Sequence, residues 1–307
     1  MAAITAGMVK ELRERTGAGM MDCKKALAET DGDMEQAVDW LRKKGLAAAA
    51  KKAGRTTSEG LIGIAEQGSE AALVEVNSET DFVARNEQFQ QLVRNIAGIA
   101  TQAKGDLEKL RALTLPATGK SVADSIADAI GVIGENIQLR RTAYLAVEQG
   151  LVGGYLHKQT APGLGSIGVL VALVSGAPAA KLAELGKQLA MHVAAANPQS
   201  IDVASLDPAV VERERNILAE QARASGKPEA IVEKMVEGRV RKFYEESVLL
   251  EQVFVVDTDK RVKEVVAQAA KDAGTSIEVT GFVRMALGEG IEKQADDLAA
   301  EVAKLTR

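Results

Sequence analysis

The chain has 307 residues, 46% of them hydrophobic, which is enough for two or more domains with buried cores and excludes a disordered sequence class. Its 38 basic and 43 acidic residues give a net charge of −5, so no general attraction for phosphate backbones is expected, and 3% aromatic content removes the stacking platforms of single-strand binders. The single cysteine, Cys23, excludes an internal disulfide, and two histidines, His157 and His192, are too few and too far apart for a Cys/His zinc site.

Helical spacing opens the chain. Met8, Val9 and Leu12 share a face, Thr16-Gly17-Ala18-Gly19 breaks it, and a second helix restarts by Lys24 to Glu29. Asp33 is placed to cap a third, in which Ala37, Val38 and Leu41 repeat beneath Trp40 and which Gly45 is expected to end. Ala47 to Arg55, Ala-rich with Lys51 and Lys52, reads as an exposed helical tail or linker. From Gly60 the period shortens. Leu61, Ile62 and Ile64, then Leu73, Val74 and Val76 beyond a Gln67-Gly68-Ser69 turn, predict a hairpin, followed by a helix capped by Asn86 and carrying Phe89, Leu92, Val93 and Ile96. The order recurs at Leu151 to His157, Ile167 to Val174 and a helix through Leu182, Leu185, Leu189 and Val193, predicting a divergent duplication and two similar α+β subdomains. Asp207-Pro208 opens a helix, Gly226 closes it and Pro228 opens another. Val211, Leu218 and Ala222 on one arm and Val232, Met235, Val240 and Phe243 on the other predict an antiparallel helical hairpin. Strands are expected at Gln252 to Val256 and Ser276 to Arg284 around a helix near Val262 to Ala273. A last helix is expected to align Ile291, Ala295, Leu298, Val302 and Leu305.

Enzymatic chemistry finds little support. Gly163 to Gly168 spells a dinucleotide fingerprint, but its glycines precede a strand where the motif needs a strand before and a helix after. Gly119-Lys120-Ser121 resembles the end of a phosphate loop, yet Thr114 stands where the first glycine belongs. Cys23, beside Asp22 at a helical start, reads as a packed thiol. The longest apolar stretches, such as Ile167 to Val174, fall far short of the roughly 18 residues of a membrane span, and the N-terminus lacks a secretory hydrophobic region; a cytoplasmic protein is expected. Thr80-Asp81-Phe82-Val83, between a strand and a helix, is open to two readings. Asp81 caps the helix with Phe82 in the core, or Phe82 is an exposed probe for a partner's pocket with Asp81 supplying directional hydrogen bonds. His157, at a strand end before a Gly/Pro loop, is equally open, whereas His192 lies in the Leu189 to Val193 stripe as a structural histidine.

Thr16-Gly17-Ala18-Gly19-Met20-Met21-Asp22-Cys23-Lys24-Lys25-Ala26-Leu27 resembles the N-terminal signature of the elongation factor Ts family. Glu75-Val76-Asn77-Ser78-Glu79-Thr80-Asp81-Phe82-Val83-Ala84 resembles its second signature. Ala190 to Ala195, Ser225 to Pro228 and Val283 through Lys293 are similar to later family blocks. The resemblance implies an α+β fold with an N-terminal three-helix, ubiquitin-associated-like domain and linker (1–55). It further implies core subdomains at 56–145 and 146–284, a hairpin inserted at about 207–247 and a C-terminal helical module (285–307). It also implies a non-enzymatic guanine nucleotide exchange factor, without cofactor, that binds GDP-bound and nucleotide-free elongation factor Tu and contacts neither membrane nor nucleic acid. Carried over, Thr80, Asp81, Phe82 and Val83 match the loop that dislodges the partner's Mg2+, with Phe82 as wedge. Met20, Met21, Asp22 and Cys23 match a contact edge, and His157 a contacting histidine, although Leu156 and the longer loop after it depart from the family pattern. Two rivals are a nicotinamide enzyme built on Gly163 to Gly168 and a ubiquitin-like-binding adaptor built on residues 1–45.

Overall fold

The computed structural model describes residues 4–224 and 228–292. Helices α1 (Ala6–Thr16), α2 (Met20–Glu29) and α3 (Met34–Lys52) open the chain. Thr5 caps α1 through its hydroxyl, Gly17 ends it in the left-handed region, and the Asp33 carboxylate accepts the Gln36 amide at 2.9 Å to start α3. Val9, Leu12, Cys23, Ala26, Leu27 and Ala37 form a small core of their own.

Strands β1 (Glu59–Glu66) and β2 (Glu70–Ser78) form the expected antiparallel hairpin, closed by the Gln67 amide donating to the Glu70 carbonyl at 2.8 Å. Helix α4 (Glu87–Ile99) begins where Asn86 accepts the Phe89 amide at 3.1 Å. Phe89, Leu92, Val93 and Ile96 bury its apolar stripe against the sheet. Helices α5 (Leu107–Ala112) and α6 (Val122–Ile133) and strand β3 (Ile137–Ala146), antiparallel to β2, have no counterpart among the elements expected from sequence. The second unit holds β4 (Gly150–His157), β5 (Leu164–Gly165), β6 (Ile167–Ser175), α7 (Ala179–Ala196), α8 (Pro208–Arg223), α9 (Glu229–Ser247), α10 (Val262–Ala273) and β7 (Ile277–Ala286).

The sheets run β3-β2-β1-β5 and β4-β6-β7. Ile62, Ala71 and Leu73 of the first meet Val152, Leu156, Leu170, Ala172 and Met285 of the second in one buried cluster, so the sheets stack face to face. Helices α4 and α6 cover the outer face of one, α7 and α10 the outer face of the other, giving four layers, α/β/β/α. The units share their irregularities. Each first strand carries a glycine of positive φ at or next to its start, Gly60 at 128° and Gly150 at 133°, where a Cβ would stand 2.2 Å from the Val76 carbonyl oxygen and 1.9 Å from that of Leu173. Each second strand slips register against its outer neighbour, at Glu75/Val76 and at Ala172/Leu173. The core is therefore two related α+β subdomains.

Three expectations need correction. Gly45 does not end α3. It is buried where α3 crosses α6, and a Cβ on the facing Gly131 would lie 3.1 Å from the Gly45 Cα, so the glycines let two backbones meet. The Ala-rich stretch after it is helical to Lys52, as expected, but not wholly exposed, because Ala49 packs on the first subdomain's core. Gln252 to Val256 is not a strand: Phe254 turns inward and Val253, Val255 and Val256 face solvent, held by the Phe254 amide donating to the Lys260 carbonyl at 2.9 Å. In the hairpin, Asp207 caps α8, and Ala222, Val232 and Val236 form the seam between α8 and α9. Its turn, with Gly226, and the C-terminal helix expected beyond Ile291 lie outside the described residues, of which no helix is long and apolar enough to cross a membrane.

Candidate functional site

The β2–β3 ladder ends at Ser78 opposite Ile137, and the chain leaves it in a tight turn. Val83 anchors this turn in the core, whereas Phe82, one residue earlier, is 76% exposed. The reading of Asp81 as helix cap with Phe82 in the core is thereby overturned, because Asn86 does the capping and Val83 does the packing. Asp81 instead lies 3.8 Å from Arg85, and both side chains are exposed, an arrangement worth little by itself. Beneath the turn, the Glu135 carboxylate accepts the Thr80 hydroxyl at 2.6 Å and the Thr80 amide at 2.9 Å, and the Ser78 hydroxyl donates to the Thr80 carbonyl at 3.0 Å. Nothing in the spacing of the sequence pointed to Glu135, 55 residues away.

The N-terminal helices present a second apolar edge. Met20 and Met21, at the start of α2, are 59% and 76% exposed. Asp22 pairs with Lys44 at 2.5 Å, and that ammonium lies 5.6 Å from the Trp40 ring centre. Cys23 differs from its three neighbours. Its thiol is buried, 3.6 Å from the Ala18 carbonyl, and burial raises its pKa, so it supports the edge from beneath and presents no surface of its own. Asp22, Gln88 in the first turn of α4, and Val132 of α6 line one cleft of about 740 Å3 between the three-helix unit and the first subdomain.

His157 belongs to the second sheet, exposed at the end of β4, with Nδ1 3.1 Å from the Tyr155 hydroxyl. His192 is buried: Nε2 lies 2.8 Å from Gln252 Oε1, and Nδ1 accepts the Val255 amide at 3.2 Å, which fixes the neutral ring. Gly163 to Gly168 spans β5 and the start of β6, without the helix a dinucleotide site requires. Among the described residues no three acidic, histidine or cysteine side chains converge as metal ligands. The arrangement suits recognition: exposed apolar side chains on braced turns, with polar groups beside them.

The family model described as elongation factor TS matches residues 79–289. Elongation factor Ts of Rhodospirillum centenum is 60% identical over 305 residues, 99% of each chain. That of Rhodospirillum rubrum is 61% identical over 304 residues, 99% of this chain and 98% of the relative, and that of Agrobacterium fabrum is 59% identical over 307 residues, the whole of both.

Proposed function

Because the chain belongs to the elongation factor Ts family, we propose that it acts in translation elongation as a guanine nucleotide exchange factor. It binds elongation factor Tu in its GDP-bound and nucleotide-free forms, displaces Mg2+ and promotes GDP release so that GTP can enter. The single observation that carries this reading is Phe82, 76% exposed on a turn whose adjacent residue is locked in the core. A protein that binds best when the groups holding GDP are displaced must weaken GDP, and GDP must weaken it equally. No covalent step is needed. Phe82 supplies apolar contact energy available only in the displaced state, with Thr80, Asp81 and Val83 shaping the turn that carries it. Met20, Met21 and Asp22 form a second contact, with Cys23 packed beneath them, and His157 a third on the other sheet. We take its working units to be 1–55, 56–145, 146–284 with its hairpin, and 285–307.

The test is release of a fluorescent GDP analogue from elongation factor Tu by catalytic amounts of this protein. Wild type accelerates release, and Phe82→Ala costs about 2 kcal/mol of that effect, roughly 30-fold in rate. No acceleration by the wild type would refute exchange activity.

A further inference from the structure

Where β2 and β3 part company, two carboxylates cross the gap in opposite directions. Glu79, on the β2 side, accepts the Asn136 amide at 2.5 Å, and Glu135, on the β3 side, accepts the Thr80 amide at 2.9 Å. Each side chain replaces a rung that the diverging backbones can no longer supply. The crossing is braced further. Glu135 also takes the Thr80 hydroxyl at 2.6 Å, Asn136 Nδ2 donates to the Arg55 carbonyl at 2.9 Å, and the Arg55 guanidinium lies 3.4 Å from Glu79. Charge-assisted bonds of this kind are stronger than neutral ones, and both are partly sheltered from water. Two residues beyond the clamped Thr80 stands Phe82, whose side chain is mostly exposed and outside the buried core.

We propose that Glu135 is a positioning residue for Phe82, acting through Thr80, with Glu79 completing the clamp from the other strand. This rests on the exchange reading above. An exposed wedge on a loose turn must be ordered when it enters a partner, and that cost subtracts from the binding it can deliver; a clamp anchored in the fold removes it beforehand. Glu135 touches the turn from beneath, so its effect passes entirely through the ring.

The test combines Glu135→Ala, Glu135→Gln and Phe82→Ala in fluorescent-GDP release from elongation factor Tu. Glu135→Ala lowers the catalysed rate about tenfold, as expected when an interaction that pre-orders one anchor is lost. Glu135→Gln restores most of it, because the amide oxygen still accepts the Thr80 amide and the amide nitrogen can donate to the Thr80 hydroxyl. In the Phe82→Ala background the Glu135→Ala change has no further effect. An equal tenfold loss in that background, or no loss in the wild-type background, overturns the proposal. Hydrogen exchange of the Thr80 amide in the free protein separates this from the exchange activity itself. Glu135→Ala removes protection there whether or not the protein acts on nucleotide release, and unchanged protection would refute the clamp alone.

Discussion

Burial sets the two histidines on different courses. His192 is enclosed, and its pKa is lowered first by desolvation, with the Gln252 carbonyl offsetting part of the shift. A neutral folded ring facing an unfolded value near 6.5 means that its contribution to stability is complete above about pH 6.5 and declines as pH falls below it. Unfolding free energies from urea titrations between pH 7.5 and 5.5 are expected to fall below about pH 6.5 by up to about 1.4 kcal/mol per pH unit, and His192→Gln should flatten most of that slope. The role of His192 was legible because it sits in an unbroken apolar stripe. Phe82 was not. Phe82 and Val83 are adjacent apolar residues between a strand and a helix, and local spacing cannot decide which of the two turns inward; that depends on the core beneath, to which Val83 is committed. Cys23 is buried, in keeping with its reading as a packed thiol, although the resemblance groups it with Met20, Met21 and Asp22, since a contiguous motif on a helix puts neighbouring residues on different faces.

At the level of elements, paired glycines mark where the duplicated strands cross their neighbours. Gly150→Ala places a methyl 1.9 Å from the Leu173 carbonyl oxygen at a φ that alanine avoids, and is expected to cost about 3 kcal/mol or more in chemical denaturation. Gly238 in α9, with open space around it, gives the opposite outcome: Gly238→Ala should stabilise the hairpin by about 0.5–1 kcal/mol, read from its local hydrogen exchange. The hairpin β1–β2 and α4 were readable because periodicity, turn and cap agreed. Strand β3 was hidden because Arg140 and Arg141 interrupt its apolar pattern, and their partners, the buried Glu75 of the neighbouring β2 and the chain at Ala286 and Glu289, lie far from them in sequence. Residues 252–256 failed in the other direction: a valine-rich run has strand propensity but no strand to pair with, and it spends Phe254 and Gln252 on His192.

Across the whole molecule, Glu75 ties the parts together. It is fully buried, accepting Arg141 at 2.5 Å, Gly288 at 2.9 Å, Arg140 at 3.0 Å and Asn77 at 3.1 Å, so one carboxylate joins β2, β3 and the chain beyond β7. Burial alone would raise its pKa, but the Gly288 amide and Arg141 outweigh that and hold it below the ordinary value. Its stabilisation is present above the unfolded value near 4.3 and is lost as pH falls through the lower folded value. Glu75→Gln is expected to cost about 3 kcal/mol at neutral pH, because the two arginines lose their counter-charge. Since the sheets share one buried cluster, that loss should appear as a single transition of both subdomains in calorimetry and circular dichroism alike. The same contact has a consequence in time. Gly288 follows Glu75 by 213 residues, and at about 5–20 residues per second a ribosome needs roughly 10 to 40 s to deliver it. Through that interval Glu75 on the nascent chain has Asn77, Arg140 and Arg141 to bond with but not the Gly288 amide, so the last bond to this carboxylate closes only after β7 has been made.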